Sequence, residues 1–558
     1  MAATPNGQSE ALKRVCNALD ARYAAGMAGR TEELMRLLDP TYMPRAEMSD
    51  APPYEEHCHA AIKCKNVLAS AHTDYIMPPG QRWFTLQPRD KKSPRERTKV
   101  REWYEKATEI TSQALGDSNF YLEIQQAFDD RCGPATGCMF IGGDETHELH
   151  FEYIPFGTYR LGEDDKGMVN TLMRRFRYTA EQAAERWGHD ALPQKAQNDF
   201  ADESRRYTQT REYIHLVLPR AGAMNRASEM LPEEQRMFAG YYLDAEDYSI
   251  IAEESWYEFP YFVTRFAKGN AGPYGVGPGH EVLPSIKRLM RLEKVMDALG
   301  EQAAFPPMMQ LAEQNQQIDM RAGAINTISM EAAAAQMPRP LFNGGRYEVG
   351  KDRVEECKRD IQEAFFVDML LSISNVDRDM TATEVEERVN EKVLAFSPSF
   401  VRLIYEFRPA MHRIISVLYR RNAYPAEGMP PDLFRKGPDG KVQVLNPTIS
   451  YTGKIAQAVE RVMQRGVDLV LDKIVAYTQA TGDTSMIDRL DAGAIVVAWL
   501  EGAGAPTEMM VSEKEYKARL AQRQAATEEA RALALAQAQA DMNQKNAGAM
   551  AQMKGGAR

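Results

Sequence analysis

Three stretches of this 558-residue chain combine residue types and spacings that could do chemistry. Gly345-Arg346-Tyr347-Glu348-Val349-Gly350-Lys351 has the glycine and lysine spacing of a phosphate-binding loop. Such a loop needs a hydroxyl residue next, to hold magnesium, and the chain has Asp352 there. Glu348 would also place a carboxylate in the phosphate cradle, so the stretch reads as a Gly-rich turn before a helix. Gly275-Val276-Gly277-Pro278-Gly279-His280 follows a strand and precedes a helix, as a dinucleotide fingerprint does. His280 stands where the third glycine belongs, and a strand-rich meander replaces the βαβ unit, so a flexible elbow is expected instead. His57-Cys58-His59, with Cys64 and His72, gathers metal-ligating types. On a helix His57 and Cys64 share a face while Cys58 and His59 point elsewhere, and no Cys-x-x-Cys partner exists. No metal site is expected. Cys132 and Cys138, around a Gly-Pro turn, read as buried thiols. The chain has no Gly-x-Ser-x-Gly elbow and no His-Glu-x-x-His helix. These residues point to no catalysis and no cofactor.

The elements that carry these stretches follow from hydrophobic period. Residues 8–38 have helical spacing, with Leu12, Val15, Leu19 and Tyr23 on one face and Leu34, Leu37 and Leu38 after a Gly-containing break. A second helix carries Ile62, Val67 and Leu68, and a third runs from about Ser93 to Leu115. Residues 138–266 change character. His147 to Tyr153 alternates, Glu163 to Gly167 is a polar turn, and Met168 to Tyr178 can return as the partner strand. Strand-like runs at Tyr213–Leu218, Met237–Leu243, Tyr248–Glu253 and Tyr261–Phe266 complete an antiparallel meander. Gly279 to Gln302 is again helical, with Ile286, Leu289, Met290, Val295, Met296 and Leu299 as its apolar stripe. Lys287, Arg288, Arg291 and Lys294 line another face, either a solvated face or a positive ring in a symmetric assembly. Residues 306–350 are weakly patterned. Helices are expected at 351–370, 382–396, where Thr381 to Glu384 fits a capping box, and 400–421. More helix is expected at 453–480 and 486–501, and an alanine-rich tract follows Ser512. The fold class is α+β, mainly helical.

Composition bounds the function. An apolar share of 44% and a charged share of 26% suit a chain with large cores, at this length about three to five domains. The net charge of −11 argues against coating nucleic acid by bulk charge, which needs a Lys/Arg surplus on the contacting face. It leaves room for a protein past which DNA slides. Six cysteines make no disulfide framework, residues 1–30 carry no secretory pattern, and AGAIVVAWL at 492–500 is about half a membrane span. The expected setting is a reducing cytoplasm, with no membrane partner.

Several stretches resemble the portal, or head-to-tail connector, family of short-tailed bacteriophages. They are VLASAHTDYIMPPGQRWFTLQP at 67–88, the segments beginning DSNFYLEIQQAFDD at 117 and FEYIPFGTYRLGEDD at 151, PYGVGPGHEVLPSIKRLMRLEKVMDALGEQAAFPP at 273–307, and DRDMTATEVEER at 377–388. The resemblance implies a portal-like ring subunit with wing, stem, clip, crown and C-terminal barrel helix. The wing would be 1–280, the stem helices 281–305 and 351–371, and the clip 306–350. A channel loop at 372–380, a wing return at 381–447, a crown at 448–510 and a barrel helix at 511–558 would follow. The implied protein is a virion component at a capsid vertex, assembled in the host cytoplasm, a conduit and not an enzyme. About twelve copies would pass double-stranded DNA in packaging and ejection, meeting terminase, a tail adaptor, and capsid and scaffold proteins. Asn375, Asp377, Arg378, Asp379, Lys287, Arg291 and Lys294 would be the DNA-channel residues. Glu313, Asn315, Arg321 and Asn326 would bind partners at the clip. A capsid scaffold or shell-assembly protein is the alternative reading, and a nucleotide-dependent DNA motor component a further one.

Overall fold

Leu12, Cys16, Leu19 and Tyr23 are the buried stripe of the first helix, α1 (Pro5–Gly26), and the Gly-containing break leads to α2 (Ala28–Leu38). The computed structural model describes residues 5–26, 28–42, 56–88, 94–143, 148–220, 232–269, 272–305, 308–311, 324–328, 339–340, 347–374, 382–427, 429–430, 434–436, 442–445 and 447–451. It also describes residues 319 and 321 and helical residues scattered between 473 and 542. The chain divides into two units, residues 1–90 with 103–462, and residues 91–102 with 463–558. In the second, the described residues between 518 and 542 are helical and exposed, as the alanine-rich composition requires.

In the first unit, α3 (His59–Ile76) leads to β1 (Phe84–Gln87), and α4 (Pro94–Asp117), whose first turns belong to the second unit, to α5 (Phe120–Cys132). Then come β2 (Thr136–Gly142), β3 (His150–Tyr153), β4 (Tyr159–Glu163), β5 (Val169–Thr179), α6 (Ala180–Trp187) and α7 (Gln194–Ala201). The strands β6 (Thr210–Pro219), β7 (Phe238–Asp244), β8 (Ile250–Trp256), β9 (Tyr261–Arg265), β10 (Ala267–Lys268) and β11 (Gly275–Val276) follow. A long helix α8 (Pro278–Ala304) precedes β12 (Met308–Leu311), β13 (Ile325–Ile328) and β14 (Arg339–Pro340). The chain continues through α9 (Tyr347–Ala364), α10 (Val367–Ser374), α11 (Ala382–Arg420), β15 (Phe434–Lys436), β16 (Val442–Leu445) and β17 (Thr448–Tyr451).

The expected meander exists as the five-stranded sheet β4-β5-β6-β7-β8, antiparallel throughout. Its tight turn is set by Asp164, whose carboxylate accepts the N–H groups of Lys166 and Met168 at 2.9 and 2.8 Å, with Gly167 at φ +76°. Two expectations need correcting. Met168 to Tyr178 pairs with β4, while the alternating run ending at Tyr153 is β3 of a separate sheet, β3-β2-β9. The last meander strand, β9, also leaves for that sheet. Unanticipated helices α6 and α7 interrupt the strands, and α6 starts at a capping box between Thr179 and Gln182.

One face of the large sheet (Met173, Ile214, Leu216, Leu243) packs on Leu12, Cys16 and Leu19 of α1. On the other face Tyr213 meets Ala183 of α6 and Ala196 of α7, and Leu172 and Val217 meet Cys138 and Tyr261 of the small sheet. Being covered on both faces explains why β6 is a nearly continuous buried run. Trp83, from the Arg-Trp-Phe stretch, is fully buried against Phe120 and Phe407, beside the pairing of β1 with β17.

The outer edge of β3 is covered by side chains in place of a strand. Asn119, at the N-terminus of α5, donates to the Phe151 carbonyl at 2.7 Å and accepts the Phe151 N–H at 3.0 Å. Glu123 accepts the Tyr153 N–H at 2.7 Å. Asp130 accepts the Tyr153 hydroxyl at 2.7 Å and the Phe156 N–H at 3.0 Å, and burial pushes its carboxyl up to about 8. An edge satisfied in this way is closed to strand addition. Replacing Asn119 by leucine orphans both Phe151 groups, each worth about 1–3 kcal/mol when buried. The expected outcome is a lower urea midpoint with unchanged slope; an unchanged midpoint would refute the role given to Asn119.

Candidate functional site

The glycine-rich stretch that leads into the first turn of α8 is a buried joint, which corrects the expected flexible elbow. A Cβ on Gly275 would collide with the carbonyl of Ala135, and one on Gly279 would lie 2.9 Å from Leu34 and 3.3 Å from the Gly133 carbonyl. The glycines therefore admit the chain's own backbone, and the space a pyrophosphate would need is filled. His280 completes the joint. Its Nδ1 faces the Gly277 N–H at 3.4 Å, its Nε2 meets the Thr31 hydroxyl at 3.0 Å, and Arg30 donates to its carbonyl. An accepting Nδ1 assigns the neutral Nε2–H tautomer. Burial, with the Arg30 guanidinium second, pushes His280 down to about 4.

From this joint α8 runs beside α9. Ile286 and Leu289 of α8 and Val354, Cys357 and Ile361 of α9 are buried at helical spacing, and burial raises the Cys357 thiol. Val295 is half exposed farther along α8. The phosphate-loop look-alike overlaps the start of α9: Tyr347 to Gly350 are already helical, and Lys351 and Asp352 are exposed on it. The stretch expected as one helix, 351–371, is two. Phe366 takes φ +58°, and the Phe366 N–H turns to the Glu363 carbonyl at 3.0 Å, ending α9 before α10 begins. Between α8 and α9, where weak patterning was expected, β12 pairs parallel with β13 and antiparallel with β14.

The basic strip on α8 is placed on the surface, but two of its members are engaged within the chain. Lys287 pairs with Glu33 of α2, and Lys294 with Glu56 just ahead of α3. Arg291 is exposed and makes no ion pair among the described residues. Asn375, Asp377, Arg378 and Asp379 lie outside the described residues, as do Glu313, Asn315 and the capping residue Thr381. Asn326 sits in β13 opposite Met309, and Arg321 is exposed and held by Asp319 at 2.6 Å. The basic strip and the 306–350 candidates are therefore not brought together by any described contact.

The histidines and cysteines are mostly placed apart, with Cys132 Sγ 3.7 Å from His72 Nδ1. His57 Nδ1 meets the Arg36 carbonyl at 2.7 Å. His72 Nδ1 meets the Leu68 carbonyl at 2.8 Å, and its Nε2 faces Arg131; burial followed by Arg131 pushes it down to about 3. Among the described residues no three His, Cys, Asp or Glu side chains form a metal site. All six cysteines are free and buried, Cys132 and Cys138 included. No helix among the described residues is long and apolar enough to cross a membrane. The role of His280 was missed in the sequence; the available signal was its position in place of a third glycine.

Comparison with known proteins matches residues 13–511 to a family described as bacteriophage head to tail connecting protein. The chain is similar to the portal protein of Salmonella phage epsilon15, 23% identical over 477 residues, covering 84% of this chain and 82% of that one. It is also similar to a probable portal protein of Bordetella phage BPP-1, 23% identical over 489 residues, covering 85% and 83%.

The joint makes a pH prediction. A depressed folded-state value means that His280 contributes stability above about 6.5, and that this is lost as pH falls toward about 4. His280→Gln should lower the melting temperature at pH 7, and its gap from the parent should narrow steadily down to pH 4. A constant gap would mean that His280 is not held neutral.

Proposed function

The chain belongs to the bacteriophage head-to-tail connecting protein family, and from that premise we propose that it is the ring subunit through which the genome enters and leaves the capsid. Proteins of this family are structural and not enzymes. The observation that carries the finer reading is the α8–α9 pair, fixed at one end by the buried Gly275–His280 joint and connected through the small sheet of β12, β13 and β14. Helix pairs of this kind can pack side by side around an axis, a heterologous contact that closes into a ring. In this reading about twelve copies surround double-stranded DNA. Residues 1–280 form the wing, 281–305 and 351–371 the stem, 306–350 the clip, 372–380 the channel loop, 381–447 the wing return, 448–510 the crown and 511–558 the barrel helix. The clip, with Glu313, Asn315, Arg321 and Asn326, meets terminase during packaging and then the tail adaptor; the wing meets capsid and scaffold proteins. A scaffold or shell protein would instead build shells without a fixed count.

Two measurements test this. Class-averaged electron micrographs of the purified protein should show closed rings of about twelve subunits with a hole wide enough for duplex DNA. Native mass spectra showing only monomer or dimer would count against it. Asp377 and Asp379 flank Arg378, so each copy adds one net negative charge that keeps passing phosphate from sticking. Replacing both aspartates with lysine should leave rings intact and make packaging and ejection salt-sensitive, because new phosphate contacts release counterions. Unchanged packaging and ejection at low and high salt would place these residues away from DNA.

A further inference from the structure

The net charge of −11 is divided unevenly between the two units. Residues 1–90 with 103–462 hold 51 Lys and Arg against 65 Asp and Glu, whereas residues 91–102 with 463–558 hold 17 against 14. The surplus of the second unit comes from its short segment, with six basic and two acidic residues; 463–558 has 11 and 12. Within that segment Arg95, Arg97, Lys99 and Arg101 stand at the start of α4, just after Pro94. Arg95 and Lys99 are one turn apart, as are Arg97 and Arg101. This placement does not serve the helix. Arg95 and Arg97 fall in the first turn, where the macrodipole disfavours cations, and Asp117 closes the last turn, where it disfavours anions. Neither arginine has an acidic residue three or four positions away, so ion pairing along the helix cannot offset them. From Arg89 to Lys99 the sequence also has no aromatic residue and no aliphatic one apart from Pro94.

We propose that the basic start of α4 grips the phosphate backbone of duplex DNA, without regard to base sequence. The inference rests on the conduit reading for the presence of DNA. A charge surplus confined to one element lets a protein of acidic net charge neutralise phosphate locally. Composition selects among polyanions. A protein partner needs aromatic or aliphatic anchors at its contact, a membrane surface needs an apolar helix face, and a single strand needs aromatic platforms for its bases. Charge without any of these suits a contact to the duplex backbone. The first aromatic residues of α4, Trp103 and Tyr104, are buried and closed to bases.

The test follows a short fluorescent DNA duplex of mixed sequence binding to the purified, assembled protein, by anisotropy across roughly 50–200 mM salt. The comparison is a variant carrying Arg95→Gln, Arg97→Gln and Lys99→Gln. Each lost phosphate contact should reduce the slope of log affinity against log salt by about 0.9, so the variant's slope should be shallower by roughly 2.7. Its affinity at the lower salt should fall by about tenfold or more, and a different duplex sequence should change neither result. Because Arg95 and Arg97 oppose the dipole, the variant should melt no lower than the parent. Equal slopes overturn the proposal. A lower melting temperature in the variant overturns it too, since these side chains would then be paired within the chain. Tighter binding of a polyglutamate peptide than of the duplex would assign the segment to an acidic protein instead. Rings formed by parent and variant alike, with equal slopes, would sink this inference and leave the conduit reading standing. Absence of rings would sink that reading, and slopes measured on the free subunits would still decide this one.

Discussion

Arg265 and Glu406 stand 141 residues apart in the chain and meet where almost no water reaches, their side chains 3% and 2% exposed. Removing two ions from water costs several kcal/mol each, so the pair is tolerable only if every polar atom finds a partner. Glu406 accepts the Arg265 backbone N–H at 2.7 Å and its Nε–H at 2.8 Å. The remaining guanidinium hydrogens reach the carbonyls of Gly167 at 3.1 Å and Pro273 at 3.3 Å. This one side chain therefore fixes α11 on β9, the β4–β5 turn, and the segment entering the α8 joint. An apolar replacement could fill the same volume, but its side chain could not select Glu406, Gly167 and Pro273 as partners.

The same device recurs along α11. Arg131 donates to the Ser399 carbonyl and hydroxyl at 2.8 and 2.9 Å, and Arg413 donates to the Ile141 carbonyl at 2.8 Å. Burial holds both guanidiniums down, to about 10, and both remain charged at neutral pH. These fastenings bear on a local contradiction, since α11 continues through Pro398 and Pro409. An interior proline removes one helix hydrogen bond and crowds the preceding turn, at about 3 kcal/mol or more. Contacts from Arg131, Arg265 and Arg413 flank both prolines and offset that cost. Two shorter helices, 382–396 and 400–421, were the natural expectation from sequence, because nothing near Pro398 announces partners more than a hundred residues away.

What was legible in the sequence was local, and what was not depended on distant partners. Leu12 and Leu19, the Asp164–Gly167 turn and the Ile286–Leu289 face each carry a period or turn chemistry that a short window contains. Strand pairing is different. β9 reads like any meander strand, and only the burial of Cys138 and Val263 against the large sheet sends it to β2. Asn119, Glu123 and Asp130 look like ordinary polar residues of a helix, because the backbone they satisfy lies on another element. Phe366 was illegible for a related reason: a bulky residue at positive φ is disfavoured locally and persists only where its surroundings impose it. The glycines before α8 gave a true signal of close approach. Sequence could not say whether the approaching group was a ligand or the Ala135 carbonyl.

The charges of the hairpin follow from its anchoring. Along α8, Lys287, Arg288, Arg291 and Lys294 are matched in number by Glu281, Glu293, Asp297 and Glu301. Lys287 and Lys294 are drawn toward Glu33 and Glu56, and Lys358 of α9 lies 3.7 Å from Glu293. Exposed pairs like these contribute about 0–1 kcal/mol to stability each, so stability is a weak reason for them. Their larger effect is on the outward field: a cation beside its own counter-charge presents a dipole, whose attraction for phosphate falls off faster than that of a lone charge. A continuous track of unpaired lysines would release counterions and hold a duplex in place, and pairing removes that property from this face. The two ion pairs from α8 to Glu33 and Glu56 thus help to hold α8 in place and shrink its outward positive field through the same contacts.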